Sequence, residues 1–187
     1  FHAGMNFAAT LAAPVLFLCR NNGYAISTPM SEQLHGDGIV ARAEGYGMAS
    51  IRVDGNDVWA SRAAVSLARE FALKHSRPVL LELLTYRQGH HSTSDDSTRY
   101  RAVGEIEEWR TKRHPVSRLL SFLVRKGWWN DLEDAALREA ERKAVLEALT
   151  KAERKPPPPM DQSLFEDVYD AVPPHLAKQR EHLHAHL

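Results

Sequence analysis

The sequence predicts an α/β fold, part of a parallel sheet with helices on both faces, followed by an all-helical tail. Three observations carry this. Residues 14–19 and 79–84 are near-continuous apolar runs, the pattern of strands buried on both faces in a parallel sheet. Between them lie a further short strand signal and a long amphipathic helix signal, the strand-helix-strand order of a crossover unit. After residue 103 no strand pattern returns.

Each element follows from local chemistry. Residues 1–10 have helical composition but no helix-start signal and run straight into the first strand, so the chain reads as the carboxyl-terminal part of a longer polypeptide whose missing portion completes the sheet. The strand at 14–19 gives way to Arg20-Asn21-Asn22-Gly23-Tyr24-Ala25-Ile26-Ser27, where Asn-Gly favours a tight turn. Residues 50–53 read as a second strand. Asp57, closing the turn at 54–57, caps a helix expected over 58–75. Ala64, Ala68 and Ala72 with Val65 and Phe71 give that helix an apolar face, and Pro78 stops it before the strand at 79–84. Helices are expected over 103–109, 115–126 and 131–154, with Gly127-Trp128-Trp129 as the break between the last two. Lys155 and the four prolines after it form a stiff extended linker. Beyond it come a segment whose Phe165, Val168 and Tyr169 suit a strap against another surface, a stop at Pro173-Pro174, and a final polar helix. The expected organisation is a sheet-bearing part over 1–102, a helical region over 103–154, and a linker with a carboxyl-terminal strap over 155–187.

Composition excludes several functions. A chain of 187 residues with 43% hydrophobic content builds one sizeable core. Lys plus Arg equals Asp plus Glu at 24 each, so nothing in the charge balance suggests nucleic acid or an anionic membrane surface. No apolar run approaches the roughly 20 residues of a membrane span. Cys19 stands alone, so no internal disulfide forms.

Chemistry concentrates in one loop. Tyr86-Arg87-Gln88-Gly89-His90-His91-Ser92-Thr93-Ser94-Asp95-Asp96-Ser97 places two imidazoles, hydroxyls and carboxylates directly after a buried strand, where ligands sit in α/β sheets. Ser, Thr, Asp and Gly also make ordinary turns, but adjacent histidines have no turn propensity, and imidazole moves protons near neutral pH. Asn21-Asn22 at a strand end is the second candidate, because magnesium takes oxygen ligands and a side-chain amide with a loop carbonyl supplies two. A plain turn explains that spacing equally well. His35-Gly36-Asp37-Gly38 is read as a loop only, and His182, His184 and His186 as solvated tail residues.

These residues carry a family resemblance. The strand end and Asn22-Gly23-Tyr24-Ala25-Ile26-Ser27 resemble the downstream end of the thiamine-diphosphate motif of 2-oxo acid dehydrogenases, whose Gly-Asp-Gly opening is missing here. The run from Tyr86 to Asp96, with its His-His and Asp-Asp pairs, resembles the regulated loop of the alpha subunits of the branched-chain 2-oxo acid dehydrogenases, the decarboxylating component. Similarity continues through His114-Pro115-Val116-Ser117-Arg118, Gly127-Trp128-Trp129 and Phe165-Glu166-Asp167-Val168-Tyr169. The resemblance implies that residues 1–102 are the carboxyl-terminal half of a thiamine-diphosphate-binding domain in an oxidoreductase. It implies magnesium (Mg2+) ligation by the Asn22 side chain and the Tyr24 carbonyl, Arg20 facing the diphosphate, and His91 reaching the cofactor and moving a proton as the acyl group passes to lipoamide. Ser92 is the implied regulatory phosphoacceptor. A phosphoryl group there, beside Asp95 and Asp96, is expected to disorder the loop by like-charge repulsion, whereas charge at Ser97 is expected to be mild. Ala102 stands where the family carries a second phosphoserine, which leaves one serine switch.

The implied partners are a beta subunit in an α2β2 heterotetramer, a lipoyl-bearing acyltransferase, and a regulatory kinase and phosphatase, in the mitochondrial matrix. The glutamate that activates the cofactor belongs to that beta subunit, so this chain alone is expected to be inactive. The alternative is a non-catalytic fragment that keeps the subunit-assembly surface. A magnesium-dependent phosphohydrolase using Asn22 and Asp37 is a distant third reading.

Overall fold

The structure is a computed structural model and describes residues 1–166 and 168–186. Its contacts fall into two units, residues 1–130 and residues from 131 onward. In the first unit the chain runs through α1 (His2–Thr10), β1 (Leu16–Asn21), β2 (Tyr24–Ala25), β3 (Thr28–Pro29) and α2 (Met30–Gln33). It continues through a 3₁₀ helix (Val40–Tyr46), β4 (Ala49–Asp54), α3 (Val58–His75), β5 (Val79–Leu84), α4 (Val103–Lys112) and α5 (Pro115–Arg125).

The expected α/β architecture is present. Three parallel strands lie in the order β1-β5-β4, with Leu16 and Ala49 both in register with Val79, and Asn21 and Asp54 both level with Leu84. The three carboxyl ends are therefore flush, and the loops leaving them share one edge. Central β5 is buried from Val79 to Glu82 because neighbouring strands flank it and helices cover both its faces. On one face α3 packs Ala64, Ala68 and Ala72 against Val79 and Leu81. Alanines at this spacing let the helix lie close to the sheet. The Asp57 carboxylate accepts from Trp59 N and Ala60 N, each at 3.0 Å, which satisfies two donors of the first turn. On the other face Met5 of α1 and Ala43 of the 3₁₀ helix cluster with Met48 and Leu80. Leu81 is 0% exposed, so Leu81→Ala is expected to cost about 2–5 kcal/mol in urea unfolding through lost burial and the cavity left behind. A change in midpoint equivalent to less than about 1 kcal/mol would place the core elsewhere.

Several details differ from the sequence reading. The first strand lies two residues later than expected, ending on Asn21 rather than Cys19. Pro14 has no N–H to give a ladder, while Arg20 and Asn21 continue it to the polar edge. The antiparallel pair β2-β3 and the 3₁₀ helix are additional, too short to show periodicity in sequence. The pair turns at Ile26, whose φ of 55° is unusual for a β-branched residue. Helix α4 runs three residues past its expected end, to Lys112.

In the second unit α6 (Asp131–Glu153), α7 (Met160–Ser163) and α8 (Pro174–His184) match the expected helical tail. Asp131, Glu133 and Asp134 occupy the first turn of α6, where the helix dipole favours negative charge. Val168 and Tyr169 of the proposed strap are exposed, and Asp167 between them and Glu166 lies outside the described residues. No described helix is long and apolar enough to cross a membrane.

Candidate functional site

The site forms where β1 and β5 end side by side. From β1 the chain passes through Asn21 and Asn22 into Gly23, whose φ of 81° gives the left-handed corner the turn needs. Asn21 Oδ1 accepts from Gly23 N at 3.0 Å, and Asn22 Oδ1 accepts from Tyr24 N at 3.1 Å, two consecutive side-chain turns that shape the main chain. Met30 N donates to Gly23 O at 2.8 Å. That bond makes Tyr24 and Pro29 a narrow pair whose own main-chain groups face away from each other. The Tyr24 carbonyl thus points to the side on which Asn22 Oδ1 meets the Tyr24 N–H.

From β5 the chain enters the histidine-serine loop, which carries an internal frame. Arg101 is 3% exposed and forks its guanidinium to Arg87 O and, at 3.0 Å, to Gly89 O. The same guanidinium lies 5.1 to 5.8 Å from the ring centres of Tyr86, Tyr24 and Tyr100. Asp95 Oδ2 accepts from Tyr100 OH at 2.6 Å and from His91 N at 2.8 Å. These two bonds hold the Asp95 carboxyl below the usual range. Because the folded value is the lowered one, the support Asp95 gives the loop is present above the ordinary carboxylate range and fades as the pH falls through the lowered value. Arg87 donates to Tyr100 OH at 3.0 Å and to Ile26 O at 2.7 Å, which ties this loop to the hairpin beyond Tyr24. Tyr24 OH donates to Glu105 of α4 at 3.1 Å. Under the loop Tyr86 stacks on Trp109 at 5.1 Å, and burial pushes its hydroxyl pKa up to about 12.

The two histidines separate in role. His90 Nδ1 accepts from Ser97 N at 3.0 Å and meets Ser97 Oγ at 3.0 Å, so this ring braces the loop. His91 and Ser92 are exposed, with Ser92 Oγ 3.3 Å from Ser94 Oγ. Asp95 N donates to Ser92 O at 3.2 Å, which keeps Asp95 beside the serine. Ser97 corrects the sequence reading. It is 2% exposed and bound to His90, so charge there would be buried and damaging rather than mild. Arg20 is exposed on β1, on the opposite strand face from Asn21. Asp37 is engaged by Arg52 at 2.8 Å, and Arg52 also binds Glu82 at 3.0 Å, so Asp37 lies at the outer end of that network and not beside Asn22. No group of three His, Cys, Asp or Glu able to hold a metal occurs among the described residues. Sequence reasoning missed Arg87, Tyr100 and Arg101 as the frame; the dense alternation of Arg and Tyr around the loop was the available signal.

Residues 1–161 match the family model described as the dehydrogenase E1 component. The chain belongs to this family, which is thiamine diphosphate dependent. Among curated relatives it is 55% identical over 186 residues to the human protein named 2-oxoisovalerate dehydrogenase subunit alpha, mitochondrial, covering 100% of this chain and 42% of that protein. It is 54% identical over 179 residues to the Arabidopsis thaliana protein of that name, alpha 2, covering 96% of this chain and 38% of the relative. The Dictyostelium discoideum relative of that name is 50% identical over 188 residues, with 100% and 42% covered. The chain thus spans well under half the length of these relatives.

Proposed function

We propose that this chain is part of the alpha subunit of a thiamine-diphosphate-dependent E1 enzyme that oxidatively decarboxylates branched-chain 2-oxo acids and passes the acyl group to lipoamide. Residues 1–102 contribute half of its cofactor domain, 103–154 a helical region, and 155–187 the linker and strap. The observation that carries this reading is the seating of the Asn22–Tyr24 turn and the His91-Ser92 loop next to each other on one edge of a parallel sheet. The names of relatives sharing half or more of its residues support the substrate class and a place in the mitochondrial matrix. They equally support a beta-subunit partner.

The residues present fit the cofactor and its ion in part. Asn22 Oδ1 and the Tyr24 carbonyl supply two oxygen ligands for magnesium, and the remaining ligands come from the diphosphate and from residues outside this chain. Arg20, exposed at the end of β1, offers a guanidinium for phosphate oxygens. When bound, thiamine diphosphate supplies a carbon nucleophile and an electron sink for loss of carbon dioxide. His91, exposed beyond the braced His90, moves a proton as the acyl group leaves for lipoamide. Ser92 beside Asp95 is the site at which a kinase and a phosphatase control the loop.

The test uses a full-length alpha subunit assembled with its beta subunit. Asn22→Ala is expected to weaken cofactor binding about 10- to 100-fold, the loss of one contact to a charged group, with partial rescue by excess magnesium. Unchanged affinity would remove Asn22 from the site and with it the magnesium turn.

A further inference from the structure

Glu82 interrupts the apolar run of β5 and is 0% exposed, and among the described residues no other carboxylate is buried. A buried charge is costly, and an apolar side chain fills a strand position better unless the charge is needed. Both oxygens are saturated. Oε1 accepts from Asn21 Nδ2 at 2.6 Å and Ile39 N at 3.2 Å, and Oε2 from Val40 N at 2.9 Å and Arg52 Nε at 3.0 Å. Arg52 reaches on to Asp37 Oδ1 at 2.8 Å and Asp37 O at 2.7 Å. Burial pushes the Glu82 carboxyl up, but the bonds from Asn21, Val40, Arg52 and Ile39 outweigh it and hold the group below its usual value. The loop before the 3₁₀ helix is fitted to this carboxylate. Gly38 has a φ of 67°, and a Cβ there would lie 2.5 Å from Arg52 Nη2 and 3.1 Å from Glu82 Oε1.

An ion pair with Arg52 would need one of these oxygens. The other faces Asn21, the residue before the proposed magnesium ligand. With its Nδ2 held by Glu82, the Asn21 side chain is oriented so that Oδ1 receives Gly23 N at 3.0 Å. The Asn21 carbonyl meanwhile accepts from Thr85 N at 2.8 Å, which fixes the same residue to the end of β5.

We propose that Glu82 is a positioning residue for the cofactor turn: through Asn21 it sets the main chain of Gly23, and so the direction in which Asn22 and Tyr24 present their oxygens. The contacts to Ile39, Val40 and Arg52 clamp the 37–40 loop to the same carboxylate, so that turn and loop are held as one body. This rests on the reading of the Asn22–Tyr24 turn as the magnesium site.

The experiment compares Glu82→Gln, Asn21→Ala and Asp37→Asn in the full-length alpha subunit assembled with its beta subunit. Thiamine diphosphate with magnesium is the probe, and amide hydrogen exchange in the cofactor-free assembly is the second readout. Glu82→Gln and Asn21→Ala are expected to raise the half-saturating cofactor concentration about tenfold or more and to leave kcat at saturation within about twofold. Exchange is expected to quicken at Gly23 and Tyr24 while Val79–Leu81 stay protected. Asp37→Asn, at the exposed outer end of the network, is expected to change cofactor affinity by less than about twofold. Cofactor affinity equal to wild type in assembled Glu82→Gln or Asn21→Ala overturns the proposal, as does exchange that quickens throughout β5 with none selective for the turn. Where Glu82→Gln does not assemble, Asn21→Ala decides, since it leaves the carboxylate its three other donors. Asn22→Ala, measured alongside, separates the two failures: unchanged cofactor affinity in Asn22→Ala overturns the underlying reading and the proposal with it, whereas weakened binding by Asn22→Ala with normal binding by Glu82→Gln and Asn21→Ala overturns the positioning role alone.

Discussion

His91→Ala in the full alpha subunit assembled with its beta subunit is expected to slow acyl transfer to lipoamide by about 10²- to 10⁴-fold, the range for a lost proton-transfer group. Ser92→Glu is expected to impair the same step by another route. The serine carbonyl accepts from Asp95 N at 3.2 Å, and Asp95 holds His91 N at 2.8 Å, so a carboxylate at position 92 stands against the one that orders the loop. Repulsion then competes with the Asp95 bonds to His91 and Tyr100, and the loop opens. Ser92→Ala, which adds no charge, is expected to stay active and to resist inactivation by a kinase. The control is Thr93→Glu, an exposed neighbour, because Ser97 is buried against His90. Should Ser92→Glu acylate lipoamide normally, with its loop as resistant to protease as the wild type, the serine would be no switch.

The sheet was legible because burial leaves a periodic trace. Residues 79–84 and the Ala64, Ala68, Ala72 stripe were visible as strand and helix face, and in the fold the two pack against each other. Asp57 announced the start of α3 to the residue. What escaped was short or made of long-range pairs. The β2-β3 hairpin rests on two-residue strands, and no local pattern marks a pair so brief. Asp95 and Tyr100 looked like one more loop acid and one more loop aromatic, since their bond becomes visible only when the chain folds back. By residue chemistry His90 and His91 were alike, and only the resemblance singled out His91, until the fold gave His90 its bonds to Ser97. Glu82 left a signal that reads either way, an acid in an apolar strand being the mark of an edge or of a buried function, and only the donors from Asn21, Ile39, Val40 and Arg52 decide for the second.

Arg101→Met is expected to free the loop without unfolding the sheet. The side chain is 3% exposed and binds the carbonyls of Arg87 and Gly89, the two residues that launch the loop from β5. Methionine fills much of the volume among Tyr24, Tyr86 and Tyr100 but donates nothing. Each orphaned carbonyl costs about 1–3 kcal/mol unless the loop opens to hydrate it, so opening is the favoured response. The consequence extends past the loop, since Arg87 also binds Ile26 O at 2.7 Å and Arg101 lies 5.6 Å from the Tyr24 ring centre. Arg101→Lys separates charge from geometry. An ammonium keeps the cation near the rings, but it has no planar fork and is expected to restore only a part of the order. Limited proteolysis between residues 87 and 100, run beside thermal unfolding, checks both parts. Cleavage of Arg101→Met at the wild-type rate would show that the guanidinium is not what holds the loop. A fall in Tm as large as that of Leu81→Ala would show instead that Arg101 supports the core, whose residues Val79, Leu80 and Leu81 it does not touch among its hydrogen bonds and ring contacts.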